Sequence, residues 1–442
     1  MNKLKADVTP YWNEACQEWQ SKLWCPTGEE WVETSPLVKT LTNNQKSQTY
    51  PQTYPLGSLP VSVDQQEGGL KQVVKKIRIY PEDESVFETH LHASRLAYNT
   101  AIAEFRKFDT CEGEAERELF KASSPTKNQA SFRRDIRNEV CDLHACDRST
   151  VNEAVNLAYK TQQALVRKRK QGQKAELHFR ARKSARQSFI IQQLPKQSRR
   201  LKYFAAQTVP DEAIGKMATV YRENGRWFLC CAQLVPTRRS ESQALRVVAL
   251  DPGVRTFLTT FSHNSSEKIG SGFAASIYPM LKRLDGLLSK RARFLNKCPK
   301  DWQQCHKDRF RYFEKRIHKL RNRIKDLVTN LHWQAAHFIS ENYDLAFLPT
   351  FEVQDMARRK GRRLWKPSVR QLLSLSHYQF KLRLKWMMTK KGKHVIDCNE
   401  AYTSKTDSRT GELVEIKGSK TINGLDRDVN GARGIFLRSM AT

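Results

Sequence analysis

Leu425-Asp426-Arg427-Asp428-Val429-Asn430-Gly431-Ala432-Arg433-Gly434-Ile435 and Val247-Val248-Ala249-Leu250-Asp251-Pro252-Gly253-Val254 decide the reading of this chain. Each puts a carboxylate at the end of an apolar run or the start of a helix, where a buried element holds an acid rigidly and leaves one side open. Glu400, in Val395-Ile396-Asp397-Cys398-Asn399-Glu400-Ala401-Tyr402, follows another short β-like run. Taken singly, an Asp before Pro-Gly is a turn former and an Asp before Asn-Gly-Ala is a helix cap. Taken together, three acids on separate segments of a basic chain suit a divalent-metal phosphodiesterase. Carboxylate oxygens suit Mg²⁺, and two ions clamp the attacking and leaving oxygens.

The chain has 442 residues, enough for two or three units with their own cores. Lys and Arg number 77 against 46 Asp and Glu, a formal charge of +31. Such an excess calls for a polyanion, and nucleic acid fits through phosphate contacts and counterion release. A membrane is not expected: the apolar stretch at Trp227-Phe228-Leu229-Cys230-Cys231 is far too short to span one. Met1 to Asp7 lacks the apolar run of a secretory signal, so an intracellular protein is expected, cytoplasmic and nucleoid-associated in a bacterium or nuclear in a eukaryote. The ten cysteines include no C-x₂-C pair and read as reduced thiols. Cys141, His144 and Cys146 lie close together without a fourth ligand, so no zinc site is expected.

Residues 1–70 read as an N-terminal extension: Trp12, Trp19, Trp24 and Trp31 suggest a small helical patch, and Asn43 to Asp64 a linker. Residues 71–82 alternate as one strand ending at Pro81. Residues 83–172 turn helical, with Phe87, Leu91, Ala101, Ile102 and Phe105 on one face and Ser149-Thr150-Val151-Asn152-Glu153 as a cap. Residues 173–243 read as strands at 175–179, 189–192, 201–205, 217–223 and 226–234, with Asn224-Gly225 as a hairpin turn. There Arg180, Lys183 and Arg186 are interleaved with Phe179, Phe189, Tyr203 and Phe204, cations for phosphates beside rings for bases. Residues 244–398 alternate strands with helices, including a long seam from Phe313 through Ile317, Ile324 and Leu331 to Phe338, a basic loop from Met356 to Arg363, and one helix from Val369 to Met388. This pattern, completed by a helix after Asp428, suggests an RNase H-like α/β core.

Asp251-Pro252-Gly253-Val254-Arg255-Thr256-Phe257, Leu348-Pro349-Thr350-Phe351-Glu352, Glu400-Ala401-Tyr402-Thr403-Ser404-Lys405-Thr406 and Asp426-Arg427-Asp428-Val429-Asn430-Gly431-Ala432-Arg433 resemble the three RuvC blocks of TnpB proteins. These are transposon-encoded RNA-guided nucleases, and the likeness is strongest to the branch shared with Fanzor proteins. Tyr98-Asn99, Phe179-Arg180, Leu331-His332, Arg370, His377 and Phe380 resemble further family positions. The resemblance implies an α/β multidomain fold: a wedge-type β-barrel (71–82 and 173–243) with a helical recognition insert (83–172), then an RNase H-like RuvC nuclease domain. It implies RNA-guided cleavage of double-stranded DNA beside a short adjacent motif, with a guide RNA derived from the transposon end. A monomer with RNA is expected, a dimer being left open.

Two positions depart from the family. Pro349 stands where many TnpB proteins carry a catalytic Glu; Glu400 matches the alternative acid of the Fanzor-like branch, and Glu352 is the competing candidate. The expected ligands of two Mg²⁺ ions are therefore Asp251, Glu400 and Asp428. The segment 399–425 is short and holds no cysteine, so it lacks the family's zinc ligands. Arg358, Arg359, Arg362 and Arg363 are expected to steady nucleic acid with Arg180, Lys183 and Arg186. An RNA-guided binder without cleavage and an RNase H-like transposase are the alternatives.

Overall fold

The computed structural model describes residues 8–13, 18–23, 32–33, 38–42, 53–55, 69–110, 129–182, 184, 186–196, 200–237, 244–263, 265–299, 301–350, 353, 357, 365–398, 406–414 and 421–441. The chain divides into two compact units: Met1–Gly69 with Pro236–Thr442, and Leu70–Val235. The N-terminal segment holds five strands, β1 (Val8–Asn13), β2 (Glu18–Leu23), β3 (Val32–Glu33), β4 (Val38–Thr42) and β5 (Tyr54–Pro55). The first three form an antiparallel sheet instead of the expected helical patch. Trp12 is paired with Trp19 across the first hairpin, so a seven-residue spacing that also suits a helix is here a strand register.

In the unit Leu70–Val235, β6 (Gly69–Pro81) leads into α1 (Glu84–Thr110), α2 (Gln129–Leu143) and α3 (Arg148–Lys170). Then come β7 (Arg186–Ile191), β8 (Tyr203–Ala205), β9 (Ala218–Glu223) and β10 (Arg226–Thr237). The helices share a core of Ala97, Ile102, Phe105, Val140, Val151 and Val155. α3 starts one residue ahead of the expected cap, at Arg148 with Asp147 as its N-cap, and the Thr150 hydroxyl donates instead to the Ile190 carbonyl (3.3 Å). The Asn224-Gly225 turn joins β9 to β10 with both residues at positive φ, 49° and 74°, as a two-residue hairpin requires.

These strands make an open sheet, in order β7-β9-β10-β6-β8, and no closed barrel is seen among the described residues. The strand expected at 175–179 joins no ladder. Its carbonyls are taken by side chains instead: Arg169 donates to Ala175 O (3.0 Å), and Arg106 donates to Leu177 O through Nε (3.1 Å). Leu177 is buried in the helical core, so the segment is a strap on the helices.

In the other unit, β12 (Val247–Pro252), preceded by β11 (Ala244–Leu245), is followed by β13 (Leu258–Ser262), β14 (Ser265–Ile269), α4 (Phe273–Lys297), α5 (Gln304–Asn342), β15 (Leu345–Pro349), α6 (Lys366–Leu375), α7 (His377–Lys390), β16 (His394–Cys398), the hairpin β17 (Thr421–Ile422) and β18 (Leu425–Asp426), and α8 (Arg427–Ala441). The sheet order is β16-β15-β12-β13-β14-β4. β12, β13 and β14 are antiparallel neighbours, and β12, β15 and β16 run parallel. β4 completes the edge along β14, and β5, within the expected linker, pairs with β11.

The sheet is covered on both sides, as a parallel segment requires. Val248, Leu250, Leu258 and Ile269 pack with Leu331, Ile339 and Leu384 on one face. Val247, Ala249, Phe261 and Phe347 pack with Ala432, Ile435 and Phe436 of α8 on the other. The expected helix 369–388 is two helices broken at Ser376, which sits at φ 51°. The cause is a tertiary contact: His332 Nε2 donates to Leu375 O (2.8 Å), taking the carbonyl that would have continued the helix. At the N-terminal ends of the three parallel strands, Asp344 accepts from the Arg246 backbone (3.0 Å) and guanidinium (2.9 Å) and pairs with Lys393 (3.1 Å). That clamp leaves the C-terminal strand ends, where open α/β sheets place their ligands, to the acids.

Candidate active site and nucleic-acid face

Asp251 stands near the C-terminal end of β12, and its alternation with Val247 and Ala249 turns it toward α8. Helix α8 meets it closely. A Cβ built on Gly431 would lie 2.5 Å from Asp251 Oδ2, so any side chain there would displace this carboxylate from its present position. Asp428 is one turn earlier on α8, and residues three apart share a helix face. Arg255, in the turn after Asp251, reaches Asp428 Oδ1 at 3.5 Å. The two sequence-predicted aspartates are thus brought to the same end of the sheet, and both are partly exposed.

The start of α8 is built from residues that sequence reasoning passed over. Asp426 Oδ1 accepts the backbone N–H of Asp428 (3.0 Å) and Val429 (3.3 Å), an N-cap that satisfies two orphan donors of the first turn. Lys268 on β14 donates to Asp426 Oδ2 at 2.6 Å and ties the cap to the sheet. The Asp-x-Asp spacing carried a signal for the cap; nothing local marked Lys268 as its partner.

Pro349 ends β15 in register with Cys398 at the end of β16, two residues beyond the pair Phe347–Ile396, just as Asp251 lies two beyond Ala249. The proline therefore occupies the level of Asp251, and β15 offers no acid there. Glu400, Glu352, Lys183, Arg358, Arg359, Arg362 and Arg363 lie outside the described residues. Among the described residues no three His, Cys, Asp or Glu side chains form a metal cage.

A stack of rings packs under the turn after Asp251, on the face of the sheet opposite α8. Phe257 lies between His332 (centroids 5.2 Å apart) and His377 (5.0 Å). Burial pushes both imidazoles down, His377 to about 4 and His332, with Arg383 beside it, to about 3. Arg383 donates to His332 Nδ1 while Nε2 donates to Leu375 O, the pattern of a neutral ring. Arg370 forks onto Asp285 (2.9 and 3.2 Å). The family-like positions 331–332, 377 and 380 are thus packing partners around the turn that follows Asp251.

In the unit Leu70–Val235 the other pairs of family-like positions also meet. Asn99 donates to Arg180 O (3.1 Å) and accepts from Arg180 N (2.8 Å), while the Arg180 guanidinium lies 4.0 Å over the Tyr98 ring. Of the four rings singled out in the β segment, Phe189 is core and Tyr203 packs against it, while Phe179 and Phe204 are exposed. The sheet face away from that core carries a run of cations and rings. Arg186 lies 4.2 Å over Tyr221, Tyr221 stacks on Phe228 (5.1 Å), and Lys76 lies 3.9 Å over Phe228. Next along β6, Arg78 lies 4.8 Å over Tyr80, which is paired across the strands with Phe204. Tyr80 is 46 % and Phe204 69 % exposed, rings open for stacking.

Comparison with known proteins gives the following. The family model described as Cas12f1-like, TNB domain matches residues 377–435. A candidate transposase, A625R of Paramecium bursaria Chlorella virus 1, is 30% identical over 218 residues, 47% of this chain and 47% of that protein. TnpB-like protein L79 of Acanthamoeba polyphaga mimivirus is 25% identical over 236 residues, 51% of this chain and 44% of that one. The chain thus spans about half the length of the curated relatives it matches. A solved Cas12f1, in complex with sgRNA and target DNA, aligns with TM-score 0.45 and 11% identity over 83% of this chain and 98% of that chain. The TNB-domain match and the TnpB-like relatives support a member of the TnpB family.

Proposed function

We propose that the protein is an RNA-guided DNA endonuclease of a transposon, acting on double-stranded DNA next to a short adjacent motif in the compartment that holds that DNA. The observation that carries this reading is the place of Asp251 on β12 against Gly431 of α8, with Asp428 one turn earlier on the same helix face. The strand order, three antiparallel strands followed by two parallel additions, supports an RNase H-like, RuvC-type core. Base pairing by a guide RNA derived from the transposon end would select the sequence, and the protein would hold backbone shape.

The donor set suits Mg²⁺: two partly exposed carboxylates stand at the same end of the sheet, Asp251 against Gly431 and Asp428 one turn earlier on α8. Asp251 and Asp428 would hold the metal, with Glu400 as the third ligand and Glu352 as its competitor. When bound, two such ions supply positive charge to the attacking and leaving oxygens of the phosphodiester. The chain's own groups do the rest. Asp426 and Lys268 fix the start of α8, Gly431 sets its distance from the sheet, and exposed Arg255 stands beside Asp428 to meet a phosphate. On the other unit Arg78, Lys76 and Arg186 would neutralise phosphates beside the Tyr80–Phe204 pair.

Pro349 supports a second reading, a guided binder without cleavage, because it removes an acid at the level of Asp251. Incubating a target-bearing plasmid with protein, its copurifying RNA and Mg²⁺ separates the two. Loss of the supercoiled form, abolished in Asp251→Ala and Asp428→Ala, is expected; a shifted but uncut plasmid would establish the binder.

A further inference from the structure

We propose that Asn430, with the buried Asp407 behind it, is a positioning residue for Asp428. This rests on the active-site reading above and adds to it the device that aims the acid. Asn430 follows Asp428 by two residues in the opening of α8 and is fully buried. Both ends of its amide are used by one short turn: Nδ2 donates to Thr406 O (2.8 Å), and Oδ1 accepts from Ser408 N (2.9 Å).

That turn is folded around a charge. Asp407 is fully buried, and its Oδ1 accepts from Arg409 N (2.9 Å). Its Oδ2 accepts from Asn423 Nδ2 (2.8 Å), while the Arg409 guanidinium stands 3.4 Å from both oxygens. Arg409 then donates to Asn423 O (2.7 Å), which draws the hairpin of β17 and β18 onto the turn. A buried carboxylate so completely partnered admits few alternative geometries, because any departure leaves a charge unpaired away from water.

The opening of α8 is therefore gripped from two sides. Lys268 holds its cap, Asp426, from the sheet, and the Asp407 knot holds Asn430 from the turn. Asp428 lies between the two grips. The first turn of a helix is where fraying begins, so an acid placed there needs such support to keep one direction.

The test uses the full chain with its copurifying RNA, comparing wild type, Asn430→Ala, Asp407→Asn, Lys268→Met, Lys268→Arg and Asp428→Ala. Amide hydrogen exchange is read first, without metal. Asn430→Ala and Asp407→Asn are expected to speed exchange across 406–414 and 427–430. Their single-turnover cleavage should fall about 10- to 100-fold, as a misplacement near 1 Å does, with target-DNA affinity in Ca²⁺ unchanged. Lys268→Met should act alike and Lys268→Arg should rescue it, which keeps the proposal testable if Asn430→Ala does not fold. Unaltered exchange, or wild-type cleavage by Asn430→Ala and Lys268→Met while Asp428→Ala is dead, overturns the positioning role. Wild-type cleavage by Asp428→Ala instead overturns the active-site reading.

Discussion

Gly431 of α8 lies so close to Asp251 of β12 that a Cβ on it would stand 2.5 Å from the carboxylate oxygen. The neighbouring atom is the far end of the Asp251 side chain, which can rotate away from an added methyl. Gly431→Ala is therefore expected to turn the carboxylate aside, with a loss of stability below about 1 kcal/mol. Cleavage should fall by at least about 10-fold, since sub-ångström placement of the acids sets the rate. Single-turnover cleavage beside a thermal melt checks this, and an alanine variant with wild-type rate would show that α8 can shift without disturbing the site.

His332 makes stability depend on pH. Burial first, and Arg383 second, lower its pKa to about 3 from an ordinary 6.5. Between those values the unfolded chain binds a proton that the folded chain does not, so stability is present above pH 6.5 and lost as pH falls toward 3. The slope is up to about 1.4 kcal/mol per pH unit. His332→Gln should flatten the dependence of the melting temperature between pH 6.5 and 4. An unchanged slope would mean that the ring accepts a proton in place.

Asp344 holds three parallel strands from their N-terminal ends. Burial would raise its carboxyl, but Arg246 and Lys393 outweigh that and hold it below the usual range. Asp344→Asn leaves Lys393, itself largely buried, without its counter-charge. A loss of about 3 kcal/mol is expected in denaturant unfolding of this unit. A wild-type midpoint would place the stability of the sheet in its apolar faces alone.

Period and punctuation carried most of the fold. The strand ending at Asp251, the apolar seam of α5 and the Asn224-Gly225 turn were all readable, because each is decided by neighbours along the chain. What escaped the sequence was decided by distant partners. The break at Ser376 follows from a histidine 43 residues upstream of Leu375, and the strap at 175–179 follows from arginines on helices. The site shows the same division. Asp251 and Asp428 announce themselves by local pattern, whereas Lys268, Gly431 and Asn430 matter only because of what the fold sets against them.

The open sheet face of the other unit separates stacking from charge. Tyr80 and Phe204 are exposed cross-strand partners, and Arg78 lies over the first of them. Ring and cation bind a nucleotide by different physics: a ring gives sequence-tolerant stacking, a cation releases counterions from the backbone. Phe204→Ala should therefore weaken a single-stranded oligonucleotide by about 1–3 kcal/mol, with the salt dependence of binding unchanged. Arg78→Gln should instead reduce the slope of log affinity against log salt by about one. Because Phe204 is 69 % exposed, its removal leaves the core intact, so a loss of affinity reports on binding alone. Titrations at several salt concentrations with RNA and DNA oligonucleotides of one sequence read both terms. If neither variant moves them, the polyanion that the chain's charge of +31 demands is bound on another surface.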